Sequence, residues 1–110
     1  KVALAEEGAA ATMIFDEIDR GVGGAVASAI GERLSRLAAK TQLLVVTHSP
    51  QVAARGDHHL LIAKNSDGLV TRTNLRTLGA AERREEIARM LSGTEVTDEA
   101  RAQAARLVAA

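Results

Sequence analysis

The sequence predicts an α/β fold: parallel strands joined by a crossover helix, followed by a β-hairpin and C-terminal helices. Three observations predict it. Met13-Ile14-Phe15 and Leu43-Leu44-Val45-Val46 are continuous apolar runs of strand length. Between them, from Ala25 to Lys40, Val26, Ile30, Leu34, Leu37 and Ala38 recur at helical spacing. Strand, helix and strand in that order form a βαβ unit whose right-handed crossover leaves the strands parallel. The carboxyl ends of both strands then share one edge of the sheet, and with them Asp16, Glu17 and His48.

Taken in order, Lys1 to Ala10 reads as the tail of a helix, with Gly8 as its terminator. The strand over 12–17 lacks period-2 alternation, which predicts burial of both its faces. Its apolar run stops at Asp16 and Glu17, and Asp19 to Gly24 is a glycine-rich turn. On the helix that follows, Ser28, Glu32, Arg33 and Arg36 occupy the polar face. After the second strand and Thr47-His48, Ser49 reads as an N-cap with Pro50 at the first position of a short helix through about Ala54.

Leu60 to Ala63 and Leu69 to Asn74 flank Asn65-Ser66-Asp67-Gly68, a hairpin with Asp67-Gly68 as its turn signal. A helix over Ala80 to Leu91 places Ile87, Met90 and Leu91 inward, a Glu85–Arg89 pair outside and Gly93 beyond its end. Thr97 caps a last helix with Asp98 and Glu99 in its first turn and Ala100, Ala104, Leu107 and Val108 as its buried stripe. No repeat, low-complexity tract or flexible linker interrupts the chain.

Composition narrows the function classes. A chain of 110 residues makes one domain that buries roughly two-thirds of its unfolded surface. It begins at Lys1 rather than Met and reads as a piece of a longer protein. Lys+Arg and Asp+Glu are both 14, so no global basic field recruits nucleic acid. Phe15 is the lone aromatic, which excludes the stacking platforms of single-strand binders. The absence of cysteine excludes a disulfide framework and a thiolate metal site. No apolar run approaches the ~20 residues of a membrane span, and no signal peptide is visible.

Two acids emerging from a buried strand are costly unless they hold a cation or activate a water. Mg²⁺ keeps most of its waters and needs only one or two carboxylates beside phosphates, which suits Asp16. Glu17, one residue on, reaches an attacking water as general base. His48, at the end of the partner strand, is placed to hydrogen-bond a terminal phosphate. A lone acid pair or a lone histidine also fits an ordinary strand end; it is their convergence that points to Mg²⁺-nucleotide chemistry. The Gly21-Val22-Gly23-Gly24 stretch fits either a plain strand-to-helix turn or a loop that admits a second subunit close to the nucleotide. His58 and His59 point to opposite sides and do not ligate jointly. Arg83 and Arg84 read as a solvated helix face.

Met13-Ile14-Phe15-Asp16-Glu17 resembles the Walker B strand of ABC-type ATPases, and Thr47-His48-Ser49 resembles their switch-histidine loop. The longer strings, Phe15 to Gly24 and Val46 to Ala54, are more specific. With Gly56-Asp57-His58-His59 and the helical end around Glu85 to Leu91, they resemble the C-terminal part of a head from the bacterial DNA-repair branch of SMC-like ATPases. The resemblance implies the C-terminal portion of a P-loop ABC/SMC-type head. Asp16 would hold Mg²⁺ through its water shell, Glu17 would polarise the hydrolytic water, and His48 would contact the γ-phosphate of ATP. Gly21 and Gly23 would lie in the D-loop, with Gly23 where ABC transporters and SMC proteins usually carry an aspartate.

No G-x-x-x-x-G-K-[ST] loop or Ser-Gly-Gly signature occurs in the chain, although Lys1 to Glu7 resembles the helix that follows a signature. The Walker A part of the head is therefore an expected partner, beside a second head in an ATP-sandwiched homodimer and DNA through the full-length protein. The resemblance also implies a bacterial cytoplasmic, nucleoid-associated parent, with this piece inactive alone. Three other readings compete: a Mg²⁺-dependent phosphotransfer or nuclease site built from Asp16, Glu17 and Asp19, a receiver-like pocket with Thr47 and Lys64, and a non-catalytic head used for assembly.

Overall fold

In the computed structural model, residues 2–7 and 10–109 are described. The element order is β1 (Val2–Glu7), β2 (Ala10–Asp16), α1 (Gly24–Ala38), β3 (Gln42–Val46), α2 (Pro50–Ala53), β4 (Leu60–Asp67), β5 (Val70–Thr77), α3 (Ala80–Ser92) and α4 (Asp98–Ala109). One sheet has the order β1-β2-β3, and β4-β5 form a separate two-stranded sheet. β2 and β3 run parallel, with Asp16 level with Val46. The α/β class and the crossover unit are thus as the sequence predicts.

The first element is a correction. Val2–Glu7 is not the tail of a helix but a strand, paired antiparallel with β2 from Val2↔Phe15 to Glu7↔Ala10. A free edge of β2 offers a row of unpaired backbone groups, and a six-residue segment satisfies more of them as a strand than within a helix too short to hold itself together. Gly8, expected as a helix terminator, lies outside the described residues.

The crossover helix buries a different stripe from the one its largest residues suggest. Ala27, Gly31 and Leu34 are buried, while Val26 and Leu37 are 53% and 39% exposed. Ala27 and Gly31 are small, and it is at Gly31 that α2 comes close. A Cβ on Gly31 would lie 3.1 Å from the Gln51 carbonyl oxygen and 3.4 Å from the Val52 Cα. Phe15, Ala27, Leu34 and Val52 form one core cluster, with Met13, Ile18, Ile30, Leu43 and Val45 packed around it.

Only the α1 face of the sheet is covered by described residues. Ile14 is half-buried and Leu44 is 46% exposed. Among the described residues the second face of β2 is thus only partly covered: an unbroken apolar run states what a strand can bury, not what lies against it.

The second cluster sits between α2 and the last two helices. Ala54, Ile87, Ala88, Ala100 and Ala104 are its buried members, and Leu91, Val96, Leu107 and Val108 pack against it. Thr97 Oγ1 accepts the Ala100 N–H at 3.1 Å, as a capping residue should. The ion pairs rearrange relative to the helical-spacing expectation. Arg89 pairs with Glu86, and Glu85 instead meets Arg101 of α4 at 3.2 Å. Interhelical reach competes successfully with the i,i+4 contact, which is worth only about 0.3–0.5 kcal/mol.

The hairpin turn is shifted by one residue from its predicted centre. Asp67 pairs with Val70, leaving Gly68-Leu69 as the two-residue loop. Gly68 has φ +63°, and a left-handed residue at the first central position is what a II′ hairpin demands of glycine.

Candidate functional site at the carboxyl edge of β2 and β3

The chain leaves β2 through an unusual backbone. Glu17 has φ 53°, the one left-handed non-glycine residue among those described. For a residue with a Cβ this conformation costs on the order of 1–2 kcal/mol. It is held by the Glu17 N–H bond to the Val46 carbonyl at 2.9 Å and by the Arg20 N–H bond back to the Glu17 carbonyl at 3.2 Å. Strain of this kind persists where surrounding structure over-determines it, and functional sites are where it gathers.

This turn aims Glu17 across to the end of β3. His48 Nε2 lies 3.1 Å from Glu17 Oε1, with side-chain exposures of 88% and 34%. Arg20 approaches the other carboxylate oxygen at 3.6 Å, an exposed contact of little energetic weight. Asp16 ends β2 with an exposed side chain. The parallel register brings the expected acid and imidazole together, because β2 and β3 end level with one another.

An open cleft of about 540 Å³ lies over this edge; Glu17, Asp19, Gly21, His48 and Gln51 are among its lining residues. Gly21 has φ +79°, so its glycine is a backbone requirement. Gly23 has φ −76° and ψ 170° as the N-cap of α1, and a Cβ there would meet nothing. Neither conformation nor packing within the chain calls for glycine at 23, and it is not among the residues lining the cleft.

Two residues that the sequence reading placed only in its alternative readings take part in the local order. Asp19 is 7% exposed, and its Oδ2 accepts a hydrogen bond from the Thr47 hydroxyl. Thr47 Oγ1 in turn accepts the Ser49 N–H at 2.9 Å. The acid two residues after Glu17 and the threonine before His48 were both visible in the sequence. Their pairing was not, since it depends on the strand register. Ser49 occupies the N-cap position of α2 without a capping side-chain bond; its hydroxyl points to Gln51 Oε1 at 2.9 Å.

Arg83 is a further correction. It does not merely solvate a helix face: Nη2 reaches back to the carbonyls of Ala53 (3.2 Å), Ala54 (2.8 Å) and Gly56 at the end of α2. His59 lies near it, and burial, then the Arg83 charge, hold its imidazole below its ordinary pKa against an opposing pull from Glu86. His58 and His59 precede β4, and no group of three or more ligating side chains occurs among the described residues.

With this geometry in place, similarity to known proteins is decisive. DNA repair protein RecN of Streptomyces coelicolor is 52% identical over 97 residues, 88% of this chain and 17% of that protein. The chain corresponds to a C-terminal stretch of RecN. RecN of Mycobacterium leprae is 48% identical over 108 residues, 98% of this chain and 18% of that protein. RecN of Rickettsia felis is 45% identical over 98 residues, covering 89% of this chain. The chain thus spans less than a fifth of the length of the RecN relatives it matches. No family model matches it.

A solved structure from work on ATP-driven dimerization and DNA-stimulated activation of SMC ATPases superposes with a TM-score of 0.58 at 15% identity. It covers 76% of this chain and 50% of that one. The RecN-like stretch therefore shares the α/β fold of that structure. No described helix is long and apolar enough to cross a membrane.

Proposed function

We propose that this chain carries the hydrolytic half of an SMC-like ATPase head, whose full-length protein couples ATP binding and hydrolysis to the recombinational repair of DNA double-strand breaks. The observation that carries the reading is the pairing of Glu17, in its left-handed turn, with His48 at 3.1 Å across the common edge of β2 and β3. Similarity to RecN, a DNA repair protein, and to an SMC ATPase fold supports the wider statement.

The residues fit Mg²⁺. Asp16 ends β2 with an exposed carboxylate next to Glu17, although it is not among the residues lining the cleft, and a metal that keeps its waters needs only one such group beside phosphates. Bound there, Mg²⁺ would neutralise phosphate charge and polarise the bond to the leaving oxygen. Glu17 is the general base: its carboxylate takes a proton from the attacking water. His48 is largely exposed, and its Nε2 can exchange the contact with Glu17 for one to a terminal phosphate oxygen. Gly21 and Gly23 keep the adjoining turn lean enough for a second head to come close. Gly23 carries no acid there, so its part is limited to backbone contacts.

The chain lacks a phosphate loop, so the Walker A part of the same head must supply the main grip on ATP. The uncovered apolar surface at Leu44 and, on the hairpin, at Ile62 (56% exposed) and Leu75 (63% exposed) suits a piece that packs against more of its own head. Alone, the chain is expected neither to bind ATP tightly nor to turn it over. In the full-length protein a second head completes each ATP sandwich, and DNA is met by parts beyond this near-neutral piece. A bacterial, nucleoid-associated setting follows from the same reading.

The nuclease alternative is disfavoured by Asp19. Its carboxylate is buried and accepts a hydrogen bond from Thr47, whereas a shared metal site needs carboxylates open to the ion. The test is Glu17→Gln in the full-length protein. Nucleotide binding should persist while turnover falls roughly 10²–10⁴-fold, the span of a general base. Normal ATP hydrolysis by that variant would end the assignment.

A further inference from the structure

We infer that Asp19 and Thr47 form a positioning pair, tying the glycine turn to the histidine loop and so setting where His48 stands relative to Glu17. The inference rests on the ATPase reading above and names residues that reading does not use.

A buried carboxylate is costly unless its oxygens are hydrogen-bonded, and Asp19 is the buried acid among the described residues. Its partner is a hydroxyl with one hydrogen to give. Thr47 gives that hydrogen to Asp19 Oδ2 and uses a lone pair on the Ser49 N–H at 2.9 Å. Its one hydrogen and one of its two lone pairs are therefore committed, and the residue enclosed between Thr47 and Ser49 is His48. Such a side-chain turn fixes the backbone of the residue it spans.

The other end of the tie is as well placed. Asp19 stands two residues after Glu17, within the turn closed by Arg20 N–H to the Glu17 carbonyl at 3.2 Å and Val22 N–H to the Asp19 carbonyl at 3.4 Å. The imidazole is 88% exposed, so packing alone does not hold it. Its place is set by the loop that carries it and by Glu17. One hydroxyl thus joins the segment holding the general base to the segment holding the histidine. Asp19 and Thr47 touch neither water nor phosphate in this scheme; they act through His48 and Glu17.

The test uses steady-state ATP hydrolysis by the full-length protein. Thr47→Val, nearly isosteric but without the hydroxyl, should lower kcat about 10–100-fold, the scale of a misplacement near 1 Å, and leave KM within about twofold. Thr47→Ser keeps the hydroxyl and should restore most of the rate. Asp19→Ala should lower kcat to a similar degree, and the Asp19→Ala/Thr47→Val double variant should be little worse than either single one, because both remove the same bond.

An unchanged kcat in Thr47→Val, a loss that serine does not repair, or additive losses in the double variant would each overturn the inference. A variant that loses nucleotide binding and kcat together also counts against it, since that marks a stability element. Glu17→Gln run alongside separates the two levels. Full activity in Glu17→Gln sinks the ATPase site itself, whereas an inactive Glu17→Gln beside a fully active Thr47→Val sinks only the positioning pair.

Discussion

Replacing Arg83 by methionine should destabilise the chain by about 2–3 kcal/mol, far more than a surface charge is worth. The last carbonyls of a helix lack intrahelical donors. In α2 they are served from α3, where Arg83 Nη2 reaches the Ala54 oxygen at 2.8 Å, the Ala53 oxygen at 3.2 Å and the Gly56 oxygen. One nitrogen carries two hydrogens, so at most two full bonds are made, each worth about 1.5–3 kcal/mol when the donor is charged.

Two effects reduce that sum. Gly56 is exposed, so water replaces part of what is lost there, and Arg83 Nε is buried without a hydrogen-bond partner among the described residues. Methionine keeps the apolar stem against the core, so the loss reports the guanidinium rather than the packing. With a urea m-value of about 1–3 kcal/mol/M, the unfolding midpoint should fall by roughly 1–2 M. Lysine, a point charge without the planar fork, should recover less than half of the loss.

The same substitution has an independent reading. The Arg83 charge is the second cause, after burial, of the lowered His59 pKa. Arg83→Met should therefore move the His59 titration, followed by NMR of the ring protons, part of the way back toward the ordinary histidine value. A midpoint within about 0.3 M of the parent, or a lysine variant as stable as arginine, would refute the reasoning, because neither outcome is compatible with a fork serving α2.

Two further outcomes follow from the same packing. Gly31→Ala gains about 1 kcal/mol of helix propensity, but its Cβ would meet the Gln51 oxygen at 3.1 Å and the Val52 Cα at 3.4 Å, both backbone and both on the helix that Arg83 anchors. Overpacking of about 1–3 kcal/mol should win; a raised urea midpoint would show that α2 gives way freely. For His59, the lowered pKa means that the folded chain binds fewer protons than the unfolded one below the ordinary histidine value. Its contribution to stability is complete above about pH 6.5 and is lost as pH falls through the folded value. Urea midpoints from about pH 7.5 down to about pH 5.5 should drop more steeply for the parent than for His59→Gln, and equal slopes would contradict this.

Much of the architecture is written as pattern. The βαβ unit, the hairpin and both C-terminal helices follow from period and punctuation, because each residue's contribution there is local. The errors share one cause. Val2–Glu7 pairs with a strand edge, Gly31 yields to a neighbouring helix, Glu85 turns to Arg101 and Arg83 to the end of α2. In each, a partner distant in sequence outweighs a neighbour on the same element, and no periodicity encodes which partner arrives.

The site divides in the same way. From residue types and their order alone came an acid pair ending one strand, a histidine ending the next, and a crossover that must carry both to one rim, since two parallel strands end on the same side. What only the folded chain decided is how those groups meet: the left-handed turn at Glu17, the 3.1 Å contact with His48, and the buried Asp19 tied to Thr47. Those depend on the register of β2 against β3. A one-residue slip would turn every side chain to the opposite face and keep the same sequence pattern.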